Sequence, residues 1–210
     1  MNLPFSEACE RNKHPILEVL RQTLPEEGSI LEIGSCTGQH VVCFAPEFPN
    51  LKWQPSDQAE YLQGLIFRLK AEGCGNIMPA VELDVLGRWP HQVFDAAYSA
   101  NTAHIMGWPA VQAMFGGVAR HLAADGVFCL YGPFNRDGKY TSASNEDFDR
   151  NLKARDASMG IRDIADLVSL AERHYMKLER EIPLPANNQL LVFRKIHEPG
   201  FGESIDEGTL

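Results

Sequence analysis

The sequence predicts a doubly wound α/β fold, with a seven-stranded, mostly parallel sheet whose last strand is antiparallel. Three observations carry this expectation. Short apolar segments alternate with helix-length amphipathic ones from one end of the chain to the other. The first five apolar segments lack polar alternation, as strands covered on both faces do. The first of them, Ile30-Leu31-Glu32-Ile33, runs into Gly34-Ser35-Cys36-Thr37-Gly38, where two glycines four residues apart mark a sharp strand-to-helix turn.

The elements follow in order. Residues 12–23 read as a helix: Asn12 can cap it, Pro15 suits its first turn, and Ile16, Leu17, Val19 and Leu20 give it an apolar face. Pro25 to Gly28 is a turn, and residues 29–33 are the first strand. A helix follows Gly38, with Val41, Val42, Phe44 and Ala45 facing inward, and ends before Pro46 or at Pro49. Leu51 to Pro55 is the second strand, stopping at Asp57. Residues 58–71 are a helix ended by Gly73 and Gly75. Ile77 to Leu83 is a third strand stopping at Asp84, and Phe94 to Ser99 a fourth stopping near Asn101. Pro109 to Leu122 is helical, Asp125-Gly126 turns, and Val127 to Tyr131 is the fifth strand. Residues 145–154 and 162–173 are helical. The last two strands lie near 176–183 and 189–195. No helix-length segment separates them, so the last enters antiparallel.

The 210 residues suit one domain with a substantial core. A net charge of −9 argues against a nonspecific hold on nucleic acid or an anionic membrane. The segment after Lys195 holds Glu198, Glu203, Asp206 and Glu207 without Lys or Arg and reads as an acidic tail over 196–210. The five cysteines form no C-x-x-C pair, which speaks against a disulfide framework or a zinc site. No apolar run approaches the roughly 18 residues of a membrane span, and the N-terminus lacks a signal-peptide layout. A reducing, cytoplasmic setting is expected.

In an open α/β sheet, ligands bind beyond the carboxyl ends of the strands, where strand order reverses. The residues expected there are Gly34, Asp57, Asp84, Asn101 and Gly132. Asp57 lies 19 residues beyond Gly38, suited to accepting hydrogen bonds from ribose hydroxyls. Asp84 is placed to meet an adenine amino group, with the backbone of Val85 beside the ring. Plain structural roles stay open for each: Glu32 as a strand-end acid, Asp57 as a helix cap, Asp84 as a turn residue, Cys36 as a small loop residue.

Glu32, Gly34 and Gly38, with acids ending strands two and three and an antiparallel last strand, resemble class I methyltransferases that use S-adenosylmethionine (SAM). Their first motif is E-x-G-x-G-x-G, and this chain departs from it at Cys36. Further segments resemble one family, the methyltransferase-like 26 group, over residues 3 to 195. They are Glu10-Arg11-Asn12-Lys13, Ser99 to Ile105, Tyr131-Gly132-Pro133-Phe134, Ser144 to Asp149, Arg155-Asp156, Gly160 to Asp163 and Pro185-Ala186-Asn187-Asn188. The resemblance implies a SAM site at Glu32, Gly34, Ser35, Cys36, Gly38, Asp57, Asp84, Val85 and Asn101, with S-adenosylhomocysteine as product and no metal. Arg11 and Asn12 would complete a lid within residues 1–28, Arg11 meeting the cofactor carboxylate.

Methyl transfer from a sulfonium needs alignment and water exclusion, and a base only if the acceptor loses a proton. His104, Asn101 and Tyr131 are the expected catalytic group. The segment 133–162 is long enough to cover the acceptor, with Phe134, Asn145, Arg155 and Arg162 in contact with it. A small polar molecule is the expected acceptor, not nucleic acid. Two other readings stand beside this one. A nicotinamide-dependent oxidoreductase would use the same turn and Asp57, though the chain lacks G-x-G-x-x-G. A non-catalytic sensor would bind SAM or its demethylated product without turning it over. Oligomeric state is not legible.

Overall fold

The computed structural model describes residues 3–197, so the acidic tail from 198 onward lies outside the described residues. Its elements are β1 (Gly28–Ile33), β2 (Leu51–Asp57), β3 (Val81–Glu82), β4 (Phe94–Ala100), β5 (Leu122–Gly132), β6 (Phe134–Asn135), β7 (Arg162–Asp163), β8 (Met176–Leu184) and β9 (Asn188–Lys195). The helices are α1 (Glu7–Leu20), α2 (Gln39–Phe44), α3 (Ala59–Glu72), α4 (Trp108–His121), α5 (Ala143–Arg155) and α6 (Ile164–Glu172).

Seven strands form one sheet in the order β3-β2-β1-β4-β5-β9-β8. All neighbours from β3 to β5 are parallel. β9 runs antiparallel to both β5 and β8. The chain winds outward from β1 to β3 and then returns to β4 on the other side of β1. The reversal of strand order therefore falls between β1 and β4.

The two faces of the sheet carry separate cores, because alternate side chains of a strand point opposite ways. Ile30, Trp53, Tyr98, Cys129 and Val192 pack under α1, α2 and α3. Leu31, Ala97, Phe128, Leu130 and Phe193 pack under α4 and α6. Both cores are formed by fully buried apolar residues, each worth about 1.5–3 kcal/mol of burial. Covering both faces this way explains why the inner strands carry little polar alternation.

Several boundaries differ from the sequence expectation. α1 begins at Glu7 and is capped by Ser6, whose hydroxyl accepts from the Cys9 amide, so Asn12 is an interior residue. Pro15 therefore also falls inside the helix and leaves the Arg11 carbonyl without its usual amide partner. A 3-10 turn over Ala45–Glu47 carries the chain through Pro46. The third strand shrinks to two residues, with only a bridge from Trp53 to Ile77 before it. β5 begins at Leu122, and Asp125 (φ +60) and Gly126 form an irregularity within it.

The segment after β5 forms a separate layer. β6 pairs with β7 in a two-stranded sheet, and α5 lies between them in sequence. Asp149, 1% exposed, gathers this layer by accepting from the Tyr140 hydroxyl (2.7 Å), the Lys153 ammonium (2.6 Å) and the Ile161 amide (2.7 Å).

Candidate active site

The glycine turn sits at the reversal of strand order. Three alternate residues take left-handed backbone: Gly34 (φ +75), Cys36 (φ +47) and Gly38 (φ +73). Cys36 thus adopts the conformation of the glycine it replaces, which costs about 1–2 kcal/mol for an L-residue. Its side chain is exposed. The turn rests on β2, where the Ser56 carbonyl accepts from the amides of Gly34 (3.1 Å) and Ser35 (2.9 Å). A Cβ on Gly34 would lie 2.7 Å from Cγ2 of Thr102, so the β4 loop presses against this turn.

Asp57 ends β2 and is 7% exposed. Its Oδ2 accepts from the Cys36 amide at 2.6 Å and its Oδ1 from the Gln58 amide at 2.7 Å. Burial raises its pKa, against the pull of these two amides. A carboxylate has about four lone-pair sites, so two remain open. The Leu83 amide donates to the Asp57 carbonyl, which brings Asp84 and Val85 to the next position along the sheet edge. Asp84 is exposed and its Oδ1 accepts from the Leu86 amide, while Val85 is buried in the core. From Val85 to Asn101 the edge spans three strand spacings, about 14 Å.

Glu32 lies beneath the turn, 2% exposed. It accepts from the Ser35 hydroxyl (2.9 Å) and the Trp53 indole (3.4 Å). Burial, assisted by the charge of Asp57, pushes its pKa to about 7. Glu32 therefore braces the turn through Ser35.

Asn101 follows β4 with φ +59, and its amide donates to the Tyr131 carbonyl at 2.9 Å. Its side chain has no partner among the described residues. His104 is 6% exposed, stacks edge-on against Phe148 of α5 at 5.2 Å, and lies near Gly132. Burial, then the charge of Arg162, depresses its pKa to about 4, so the ring is neutral. Neither ring nitrogen has a hydrogen-bond partner among the described residues. His104 thus meets α5 through Phe148. Asn135 Oδ1, just beyond β5, is buried without a partner among the described residues.

Other expected residues are engaged elsewhere. Asn12 accepts from His40 Nε2 at 2.8 Å, and His40 Nδ1 accepts from the Tyr98 hydroxyl at 3.2 Å. Tyr131 is 3% exposed and faces Asn12. Arg11 is exposed and lies 3.7 Å from Glu7. Phe134 is a core residue. Asn145 donates to Thr141 (2.9 Å) and to the Asn187 carbonyl (3.1 Å), fastening α5 to the β8–β9 turn. Arg162 donates to the carbonyls of Ala103, Met106 and Ser158 and lies over Trp108. Arg155 is exposed at the end of α5 and unpaired among the described residues.

The sequence reading missed Gln39, His40 and Arg68. Gln39 accepts from the Ser6 amide (2.6 Å) and the Thr37 hydroxyl (3.0 Å), joining α1 to the turn. Arg68 donates to the Thr37 carbonyl at 3.1 Å. One signal was available: Arg68 follows Leu65 by three residues and precedes Leu69, which puts it on the inner face of α3. Among the described residues no group of acids, histidines and cysteines is placed to hold a metal, and no helix is long and apolar enough to cross a membrane.

The strand order and the glycine turn at its reversal define a Rossmann-like methyltransferase fold. An O-methyltransferase family protein from Burkholderia thailandensis superposes with a TM-score of 0.78 at 14% identity over 90% of this chain. Mitomycin 7-O-methyltransferase gives 0.74 at 15% over 88%. A methyltransferase of calicheamicin biosynthesis, in its S-adenosylhomocysteine-bound form, gives 0.71 at 18% over 87%. The chain spans little more than half of each, 58%, 54% and 54% of their lengths. A family model described as a protein of unknown function (DUF938) matches residues 3–195, and the chain belongs to that family.

Proposed function

We propose that this chain binds SAM in the crevice between the glycine turn and the β4 loop and transfers its methyl group to a small polar acceptor. The observation that carries this is the alternation of left-handed residues at 34, 36 and 38, held by Asp57 at the point where strand order reverses. The narrower likeness to the methyltransferase-like 26 group belongs to the same proposal.

The donor set fits the cofactor. Asp57 keeps two acceptor sites for ribose, Asp84 and the Val85 backbone face the adenine end, and the bare turn faces the methionine end. When bound, the cofactor supplies a methyl group already activated by its sulfonium. The protein's part is alignment and exclusion of water. His104, neutral down to about pH 4, is a weak base, so it orients the acceptor by accepting a hydrogen bond more than it removes a proton. Asn101 is the other unspent polar side chain after β4, which favours a small acceptor with hydrogen-bonding groups. Segment 133–162 serves as a cover over it.

Arg68 is engaged by carbonyls and Glu72 and Lys13 by Glu10, while Arg11 makes only a solvent-exposed 3.7 Å contact with Glu7. Acids dominate the crevice, an environment suited to a cationic sulfonium and poor for the pyrophosphate of a nicotinamide cofactor. A non-catalytic sensor remains the second reading, favoured by the weak basicity of His104. Calorimetric titration with SAM, S-adenosylhomocysteine and NAD tests the cofactor. Binding of NAD alone would overturn it. Turnover with any acceptor, lost in His104→Ala or Asn101→Ala while SAM still binds, separates the enzyme from the sensor.

A further inference from the structure

We infer that Arg68 is a positioning residue that makes the N-terminal segment 4–10 and the glycine turn one mechanical unit, so that docking of that segment and occupancy of the crevice are linked. Arg68 is 7% exposed. Its Nε donates to the Thr37 carbonyl inside the turn at 3.1 Å, and its Nη2 donates to the Pro4 carbonyl at 2.6 Å. Nη1 meets Glu72 at 2.7 Å, which fixes the guanidinium plane along α3. A buried guanidinium without these acceptors would be costly, so the two carbonyls are held where the fork needs them.

A second set of contacts repeats the link through a different residue. Gln39, at the start of α2, accepts from the Ser6 amide and donates to the Ser6 carbonyl (3.3 Å) and to Glu10 (3.1 Å). The same amide oxygen accepts from Thr37. Thr37 is therefore tied from both sides to residues 4–10. The fit is close on the turn as well, since a Cβ on Gly38 would lie 2.9 Å from Cγ of Arg68. A ligand that favours one arrangement of the turn must favour one arrangement of the segment, and the reverse holds equally.

The structure supplies a handle that leaves every one of these hydrogen-bonding side chains in place. Gly64 lies on α3 beneath the segment, and a Cβ there would meet Cγ of Pro4 at 3.1 Å. Gly64→Leu pushes the segment off α3 from outside. The experiment is amide hydrogen exchange on the cofactor-free full chain, for wild type, Gly64→Leu, Arg68→Lys and Arg68→Ala. Expected is at least tenfold faster exchange at the amides of Cys36 and Gly38 in Gly64→Leu and Arg68→Ala, an intermediate effect in Arg68→Lys, and no change at Tyr98 in the central strand. Unchanged exchange at Cys36 and Gly38 in Gly64→Leu overturns the inference. So does an acceleration that reaches Tyr98 equally, which is general loss of stability. A second arm rests on the SAM reading: S-adenosylhomocysteine should bind at least tenfold more weakly to Gly64→Leu than to wild type and should slow exchange over residues 5–10. Wild type that binds neither ligand sinks the cofactor reading and leaves the first arm to decide the linkage.

Discussion

The amide of Cys36 donates to Oδ2 of Asp57 across 2.6 Å, so the acid that ends the second strand holds the turn that ends the first. One carboxylate thereby fastens the backbone and, under the proposed function, is also the group offered to a ribose. Asp57→Ala should lower SAM affinity at least tenfold, about 1.4 kcal/mol, and cost about 1–3 kcal/mol of stability from the unpaired amide. Titration calorimetry and urea denaturation read the two effects separately. Normal SAM binding by Asp57→Ala would remove this residue from the cofactor site.

Gly34 answers two demands at once, a left-handed backbone and the methyl group of Thr102. Gly34→Ala should destabilise by about 1–3 kcal/mol. Thr102→Ser removes the methyl and keeps the hydroxyl that pairs with Ser99 at 2.7 Å. Adding it to Gly34→Ala should recover the contact part of the loss and leave the backbone part. Strict additivity in this double-mutant cycle would show that the two residues do not couple.

Cys36→Gly should relieve the backbone cost of a left-handed cysteine, about 1–2 kcal/mol, against a gain in unfolded-chain entropy of about 0.5–1 kcal/mol. The net expectation is a stability within about 1 kcal/mol of wild type. Cys36→Val, branched at Cβ, should instead lose stability, and denaturant midpoints for the pair give the comparison.

Stability should peak near pH 7. Burial holds His40 and His104 to about 4 in the folded chain, below the ordinary 6.5, and lifts Glu32 to about 7 from 4.5. Between pH 6.5 and 4.5 the unfolded chain takes up two histidine protons while the folded chain takes up one, on Glu32. Stability therefore falls toward acid at about 1.4 kcal/mol per pH unit from these groups. Above 7 the folded chain holds slightly more of the Glu32 proton than the unfolded chain holds on its two histidines, so stability falls only slightly as pH rises further. Glu32→Gln should roughly double the acid-side slope, since the opposing uptake is gone. A urea midpoint that is flat from pH 4.5 to 7.5 would contradict the burial of these three groups.

The sheet was legible because its inner strands are short, apolar and separated by helix-length segments. The third strand was overdrawn for a local reason. Pro79 has no amide to give to a ladder, and the side chain of Gln54 donates to its carbonyl at 2.8 Å in place of a backbone partner. Gly34, Asp57 and Asn101 were placed correctly at strand ends because position in an α/β sheet follows from strand order. Arg68 and Gln39 were not seen, because their partners lie about thirty or more residues away in sequence and only the folded chain brings them to Thr37 and the N-terminal segment. Arg162 was read from its charge alone, and the sequence could not show that backbone carbonyls take its Nε and Nη2 donors.

The antiparallel strand β9 lies between β5 and β8, although it is the last of the nine to be made. Throughout synthesis of residues 133 to 187 the outer edge of β5 has no strand beside it, and Met176 to Leu184 has no neighbour to join. The sheet closes only when the final strand slots into the gap and pairs on both sides. A chain halted before residue 188 would keep an open, apolar β-edge, which is a template for joining another copy. Completion of the sheet and protection of the β5 edge are thus set by the same eight residues, Asn188–Lys195.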